Sequence, residues 1–203
     1  MKKSGIILCG GESSRMGRAK AWLLLGGETL FARSVRTLSP VVSGIVISAA
    51  PGQELPPVGV PYQRVDDAVP GGGPLPAMAG ALRCAAGQGF SDAFVQAVDM
   101  PFVSSKLVEY CFTQLRADDQ AVIPVARGVR QPLCGVYRTQ VGGAAELMAA
   151  SGERSLQRLL DSIANRLLTQ EDWGPIDPEG RSFRSINTPQ DYAALLGETP
   201  VGF

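Results

Sequence analysis

The strongest constraint on this chain is a repeated switch in its hydrophobic period. Through the first half, short apolar runs alternate with stretches of helical spacing, the pattern of an α/β protein built on a mostly parallel sheet. Residues 5–9 (GIILC) read as a buried first strand, followed by a Gly- and Ser-rich loop over 10–20. A helix over 29–38 stops at Ser39-Pro40, and a second strand covers 44–48. After a proline-rich loop, a short third strand at 62–65 ends on Asp66-Asp67. A Gly-Pro loop at 70–74 then opens a helix over 75–86, and a fourth strand at 92–98 ends on Asp99-Met100-Pro101. Ser104 is placed to cap the next helix. Beyond it the order is mixed: strands at 120–124 and 131–137, helices at 142–150 and 155–166, and a last helix with Thr188 as N-cap and Pro189 as its first residue.

No internal repeat, biased segment or linker divides the sequence, so residues 1–203 read as one domain with a doubly wound sheet. Ligands of such sheets bind beyond the carboxyl ends of the strands. That rule selects the loop at 10–20, the segment from Asp66 to Pro74, the Asp99–Pro101 turn and the turn before Thr188.

Composition removes several chemistries. The chain has no histidine, which excludes a Ser-His-Asp triad, a His-ligated zinc and imidazole acid–base catalysis. Lys plus Arg and Asp plus Glu both number 19, and the zero net charge argues against a nucleic-acid partner. The four cysteines, Cys9, Cys84, Cys111 and Cys134, show no CxxC spacing and suit reduced core thiols in a cytoplasmic protein. No apolar run approaches the ~20 residues that cross a membrane, and 6–9 is too short for a signal-peptide core.

The loop after the first strand is the most informative segment, Leu8-Cys9-Gly10-Gly11-Glu12-Ser13-Ser14-Arg15-Met16-Gly17-Arg18-Ala19-Lys20. Glycines let backbone N–H groups approach phosphate closely, and Arg15 and Lys20 bring positive charge to a polyanion. It is neither GxGxxG nor a Walker A loop. A dinucleotide-dependent oxidoreductase is further disfavoured because the second strand ends in Ser48-Ala49-Ala50, without the acidic residue that would hold a ribose.

L-x-G-G-x-x-x-R-M-G-x-x-K resembles the signature loop of a group of nucleotidyltransferases, and most nearly that of the molybdenum cofactor guanylyltransferase family. Further motifs follow in the family's order. They are Gly73-Pro74-Leu75, Val98-Asp99-Met100-Pro101, Gln131-Pro132-Leu133 with Tyr137, Gly152-Glu153-Arg154-Ser155-Leu156 and Ile186-Asn187-Thr188-Pro189-Gln190-Asp191. The resemblance implies a Rossmann-like sheet of the nucleotide-diphospho-sugar transferase type. It also implies transfer of GMP from GTP to the terminal phosphate of molybdopterin, with release of pyrophosphate and a requirement for Mg²⁺. Two positions depart from the family pattern: Ser185 stands where an Asn is usual, and Pro76 follows Gly-Pro-Leu.

Such chemistry needs no strong base, because a phosphate oxygen is already an anionic nucleophile; it needs charge neutralisation and in-line positioning. Asp99 is expected to hold the metal, and Arg15 and Lys20 to bind phosphates and stabilise departing pyrophosphate. The base is expected near Leu8, Gly10 and Gly11, with an aspartate after the third strand. That strand runs directly into Asp66, which favours Asp66 over Asp67. The double glycine resembles the guanylyl pattern rather than the Ala-Ala-Gly of cytidylyl relatives. Candidate acceptor contacts are Arg127, Arg130, Gln131, Arg154, Ser185 and Asn187. The alternatives are a cytidylyl or sugar-phosphate transferase of the same fold, or a nucleotide binder without catalysis. A transient molybdoenzyme or chaperone partner fits a labile product.

Overall fold

The central strands are apolar on both faces because helices cover both. In β1 (Lys3–Leu8) every residue after the first is buried, and β6 (Asp92–Ala97) is buried throughout. The computed structural model describes residues 2–10, 19–69 and 71–198. After β1, a small hairpin, β2 (Leu24–Leu25) and β3 (Glu28–Thr29), leads into α1 (Leu30–Leu38), β4 (Gly44–Ala49), β5 (Gln63–Asp66) and α2 (Pro74–Gly87). Following β6 come α3 (Ser105–Thr113), β7 (Ala121–Ala126), β8 (Val129–Arg130), β9 (Cys134–Arg138), α4 (Val141–Ala150) and α5 (Leu156–Ser162). The chain ends with β10 (Asn165–Leu168), α6 (Gln170–Trp173) and α7 (Pro189–Glu198).

The sheet order is β10-β7-β9-β6-β1-β4-β5, with β8 paired to β7. β1 runs parallel to β4 and β6, β4 to β5, and β7 to β10, whereas β9 is antiparallel to both β6 and β7. Crossovers move outward from β1 through β4 to β5 and then return to β6 on β1's other side. This reversal opens a crevice at the carboxyl ends of β1 and β6. Phe31, Leu38, Leu107 and Phe112 of α1 and α3 pack on one face of the sheet, and Leu75, Met78, Leu82, Leu159 and Leu160 of α2 and α5 pack on the other.

Hydroxyl caps set three helix starts, Ser104 as the sequence implies, and Thr29 and Ser155 as caps one residue before the helices that the sequence pattern begins on them. Thr29 accepts from the Ala32 amide, Ser104 from Leu107 and Ser155 from Arg158. Pro76 lies in the first turn of α2, which nonetheless runs for 14 residues.

The expected helix over 155–166 is corrected. It stops at Ser162, because the Asn165 side-chain amide donates to the carbonyls of Leu160 at 2.6 Å and Ile163 at 3.0 Å. Residues 165–168 then form β10 beside β7, an edge strand whose four residues carry too little alternation to announce themselves.

Candidate active site

At the carboxyl ends of β1, β5 and β6 the loops enclose a cavity of about 250 Å³. Leu8, Cys9 and Gly10 line it from β1, Ala97, Val98 and Asp99 from β6, and Asp67 and Gly71–Gly73 from the loop into α2; Lys20 and Leu133 complete the wall.

Of the Asp66-Asp67 pair, the structure brings Asp67 to the cavity. Asp66 is the last residue of β5 and turns outward onto the Arg64 guanidinium at 2.8 Å. The preference for Asp66 rests on the strand running into it; strand alternation points its side chain away from the cavity, and that of the next residue faces inward. Asp67 is fixed by its own N–H, which donates to the Ala49 carbonyl at 2.8 Å, and by the buried Ser48 hydroxyl, which donates to its carboxylate. Its second oxygen lies over Gly10, where a Cβ would come within 2.1 Å of it. Gly10 therefore provides the space that lets the carboxylate reach the cavity.

Cys9 lines the same wall as a buried thiol. Burial, reinforced by the Asp67 charge, pushes its thiol far above the ordinary range.

Across the cavity, Lys20 Nζ donates to Asp99 Oδ2 at 2.6 Å and to Asn187 Oδ1 at 3.3 Å. Three distant segments meet here. Lys20 opens a 3-10 turn, Lys20–Trp22; Asp99 follows β6; Asn187 precedes α7. Backbone contacts fasten them together, since the Ile186 N–H donates to the Asp99 carbonyl at 2.9 Å. Asp191 holds the turn from below, accepting from the amides of Asn187 at 2.9 Å and Thr188 at 2.8 Å, while Thr188 Oγ1 accepts from the Asp191 amide at 3.1 Å. Those donors, the Asn187 amide foremost, hold the Asp191 carboxyl below the usual carboxylate range.

A second cavity of about 330 Å³ lies on the other side of this turn, lined among others by Arg127, Gln131, Arg184, Ser185 and Asp191. It is linked to the first through hydrogen bonds: Ser185 Oγ accepts from Asn187 Nδ2 at 2.8 Å, and Asn187 Oδ1 accepts from Lys20. Arg127 enters it from a tight turn between β7 and β8, with φ 52° at Arg127 and 74° at Gly128. An arginine in the left-handed region is costly, and such positions cluster at functional sites.

The structure does not bring the other candidate arginines to this cavity. Arg130 is committed to α5, donating to Gln157 Oε1 at 2.8 Å and Asp161 at 2.7 Å. Arg154 reaches the Gly71 carbonyl at 3.2 Å, at the rim of the first cavity. Gly11 and Arg15 lie outside the described residues. Two participants escaped the sequence reading. Ser48 is a buried polar residue near the end of β4, and Arg184 precedes the recognised Asn187 motif without belonging to it.

The donors around Asp99 fit a hard cation. The Asp99 carboxylate and Asn187 Oδ1, which both accept from the Lys20 ammonium, are hard oxygen donors. No group of three or more His, Cys, Asp or Glu side chains suited to a metal occurs among the described residues. One carboxylate with few protein ligands is the set that suits Mg²⁺ completed by phosphates and water.

A twisted, mostly parallel sheet with an aspartate, a lysine and a glycine-lined wall at its switch point defines a nucleotide-binding α/β protein. The model of the MobA-like NTP transferase domain matches residues 5–168, and the chain belongs to that family. Similar relatives include a probable molybdenum cofactor guanylyltransferase of Mycobacterium tuberculosis, 38% identical over 175 residues, which are 85% of this chain and 86% of that one. Its counterpart in Mycobacterium avium is 37% identical over 198 residues, covering 96% and 95%. Among solved structures, molybdopterin-guanine dinucleotide biosynthesis protein A from Archaeoglobus fulgidus superposes with a TM-score of 0.78 at 24% identity, over 96% of this chain and 97% of that one. The fold is thus an open, mostly parallel α/β sheet shared with that structure. No helix among the described residues is long and apolar enough to cross a membrane.

Proposed function

We propose that this chain is a GTP-dependent molybdenum cofactor guanylyltransferase, acting as one nucleotidyltransferase domain. A terminal phosphate oxygen of molybdopterin attacks the α-phosphorus of GTP, the α–β phosphoanhydride breaks, and pyrophosphate leaves. The observation that carries this reading is the meeting of Lys20, Asp99 and Asn187 opposite Asp67 and Gly10.

Asp67 is suited to accept from the N1–H and N2–H₂ edge of guanine, with Leu8 and Gly10 along the base, and Gly11, outside the described residues, is assigned to the same base contact in this reading. Lys20 offers its ammonium to the phosphates and to the charge of departing pyrophosphate, and Arg15 joins it in this reading. Asp99 and Asn187 would hold Mg²⁺, which when bound neutralises phosphate charge and leaves the oxygens clamped for displacement. Asn187 also aligns Lys20, and Ser185 keeps the Asn187 amide turned so that its oxygen faces the lysine. Arg127 and Gln131, with Arg184 beside them, line the second cavity as the acceptor side, and Arg154 borders the glycine loop. The reading places the reaction in the cytoplasm, where the free cysteines stay reduced, with transient hand-over of product to a molybdoenzyme or chaperone.

The test is pyrophosphate release with Mg²⁺, molybdopterin and each of the four NTPs in turn. Release with GTP alone supports the reading, and release with CTP alone replaces guanine by cytosine while leaving the reacting cluster unchanged. Asp99→Ala is expected to lower kcat at least ~100-fold with a near-native melting temperature, because it removes a charged ligand rather than core. Full Mg²⁺-dependent turnover in that variant would overturn the role of Asp99.

A further inference from the structure

Gln96 is an anomaly in the core. It is 1% exposed in β6, between Ile7 of β1 and Cys134 of β9, on a strand whose other residues after Asp92 are apolar. Its Nε2 donates to the Met100 carbonyl at 3.1 Å and to Ser34 Oγ of α1 at 3.1 Å, and the Ser34 hydroxyl donates onward to the Leu30 carbonyl at 3.0 Å. Its Oε1 is buried without a hydrogen-bond partner. Reversing the amide would not repair this, because it would set Oε1 against the Met100 carbonyl oxygen, two acceptors face to face. An orphaned amide oxygen at the centre of a sheet is unfavourable, and an aliphatic side chain would avoid it.

What the amide holds is the turn that presents Asp99. Met100 is the next residue; its N–H donates to the Ala97 carbonyl at 3.1 Å, and its own carbonyl is the one Gln96 takes. The Asp99 carbonyl is taken by Ile186 N–H from the Asn187 segment. Both peptide oxygens of the turn are therefore pinned, one from the core and one from the C-terminal segment. With them fixed, the Asp99 carboxylate is aimed at Lys20 and the cavity.

We infer that Gln96 is a positioning residue for Asp99, anchoring the Met100 carbonyl so that the carboxylate keeps its direction toward the metal and phosphates. The inference rests on the reading of Asp99 given under Proposed function. It predicts that loss of the amide donor weakens metal binding and turnover more than the hold on the nucleotide base, whose proposed contacts, Leu8, Gly10 and Asp67, lie on β1 and the loop after β5.

The experiment uses the full chain with Q96M, Q96E and D99N. Mn²⁺ binding in the presence of GTP is read by EPR, alongside melting temperature, kcat and KM for GTP. Q96M is expected to melt cooperatively, bind Mn²⁺ about tenfold more weakly and lose about tenfold in kcat, with KM for GTP within about twofold of native. Q96E adds a reversible readout. The protonated carboxyl can donate to the Met100 carbonyl, and the ionised one repels it, with burial raising its titration range. Its kcat relative to the native protein is expected to rise as pH falls from about 8 to about 6.

A lowered melting temperature in Q96M with unchanged Mn²⁺ affinity and kcat overturns the proposal and returns Gln96 to packing. If Q96M does not fold, a Q96E ratio that stays flat with pH overturns it as well. If D99N abolishes Mn²⁺ binding and Q96M does not alter it, only the role of Gln96 fails. If D99N retains both Mn²⁺ binding and turnover, the reading of Asp99 fails and takes Gln96 with it.

Discussion

Gly10 and Asp67 compete for one volume, and the carboxylate occupies it. A Cβ on residue 10 would lie 2.1 Å from Asp67 Oδ2, far inside van der Waals contact, so Gly10→Ala must swing the carboxylate out of the cavity or displace β1. Asp67 is the more movable partner, because past Ser48 its side chain borders open space. The expected outcome is an increase of roughly tenfold or more in the dissociation constant for GTP, the scale of one lost charged hydrogen bond, with little change in melting temperature. Asp66→Ala, which removes only the exposed pair with Arg64, should leave GTP affinity within about twofold. Isothermal titration of both variants checks the contrast, and equal losses would mean that both carboxylates face the nucleotide. The sequence located the double aspartate and the glycine loop but not which aspartate lines the cavity. Period-two alternation ranks residues within a strand, whereas the inward turn of Asp67 depends on its N–H pairing with Ala49, a contact between chain segments 18 residues apart.

At the level of elements, the start of α7 shows how a helix cap serves the site. Thr188 and Asp191 cap each other, and the Asp191 carboxylate also takes the Asn187 amide, so forming the helix fixes the residue that meets Lys20. The Asp191 carboxyl titrates below the usual carboxylate range because the folded turn donates to its ionised form. The sign follows: the stabilisation is present at and above the ordinary range and is lost as pH falls through the lowered value. In an acid titration followed by NMR, the Asn187 and Thr188 amide resonances should move together with a midpoint below that of an exposed aspartate, and in Asp191→Asn this movement should vanish. A midpoint in the ordinary range would show that the cap does not hold the turn. This cap was legible, since Thr-Pro followed by an acidic residue encodes it locally. The later strand was not. β10 depends on Asn165 capturing the carbonyls of Leu160 and Ile163 at the end of α5 and on an ion pair from Arg166 to Asp119 at 2.9 Å, and neither is written in a four-residue pattern. The four strands read from the first half lie close to their expected positions, β1, β4 and β6 because strands covered on both faces are mostly apolar, and the polar edge strand β5 because its short run ends on the double aspartate.

Across the whole molecule, the two ends of the strands do different work. The carboxyl edge collects Gly10, Asp67, Asp99 and Lys20, whereas the opposite edge is tied by a buried ion pair. Arg138, at the end of antiparallel β9, donates to Asp92 at the start of β6 at 2.7 Å, and also to the carbonyls of Asp119 at 3.3 Å and Arg116 at 3.0 Å. One guanidinium thus joins β6, β9 and the turn into β7, at the place where the parallel sheet takes in its antiparallel strand. Asp92 is 4% exposed, so removing its partner leaves a carboxylate with little access to water. Arg138→Met is expected to cost about 3–5 kcal/mol, which for a chain of this size lowers the melting temperature by roughly 10 °C. Since β6 is roughly 20 Å long, Asp99 lies beyond the reach of that change. KM for GTP and kcat, measured well below the melting transition, should therefore stay within about twofold of native. Calorimetry paired with steady-state kinetics checks both halves. A large loss of turnover at unchanged stability would mean that strain at the amino edge is transmitted along β6 to the Asp99 turn. The fold would then be acting as one mechanical unit rather than as a scaffold whose stability and chemistry are held at opposite ends.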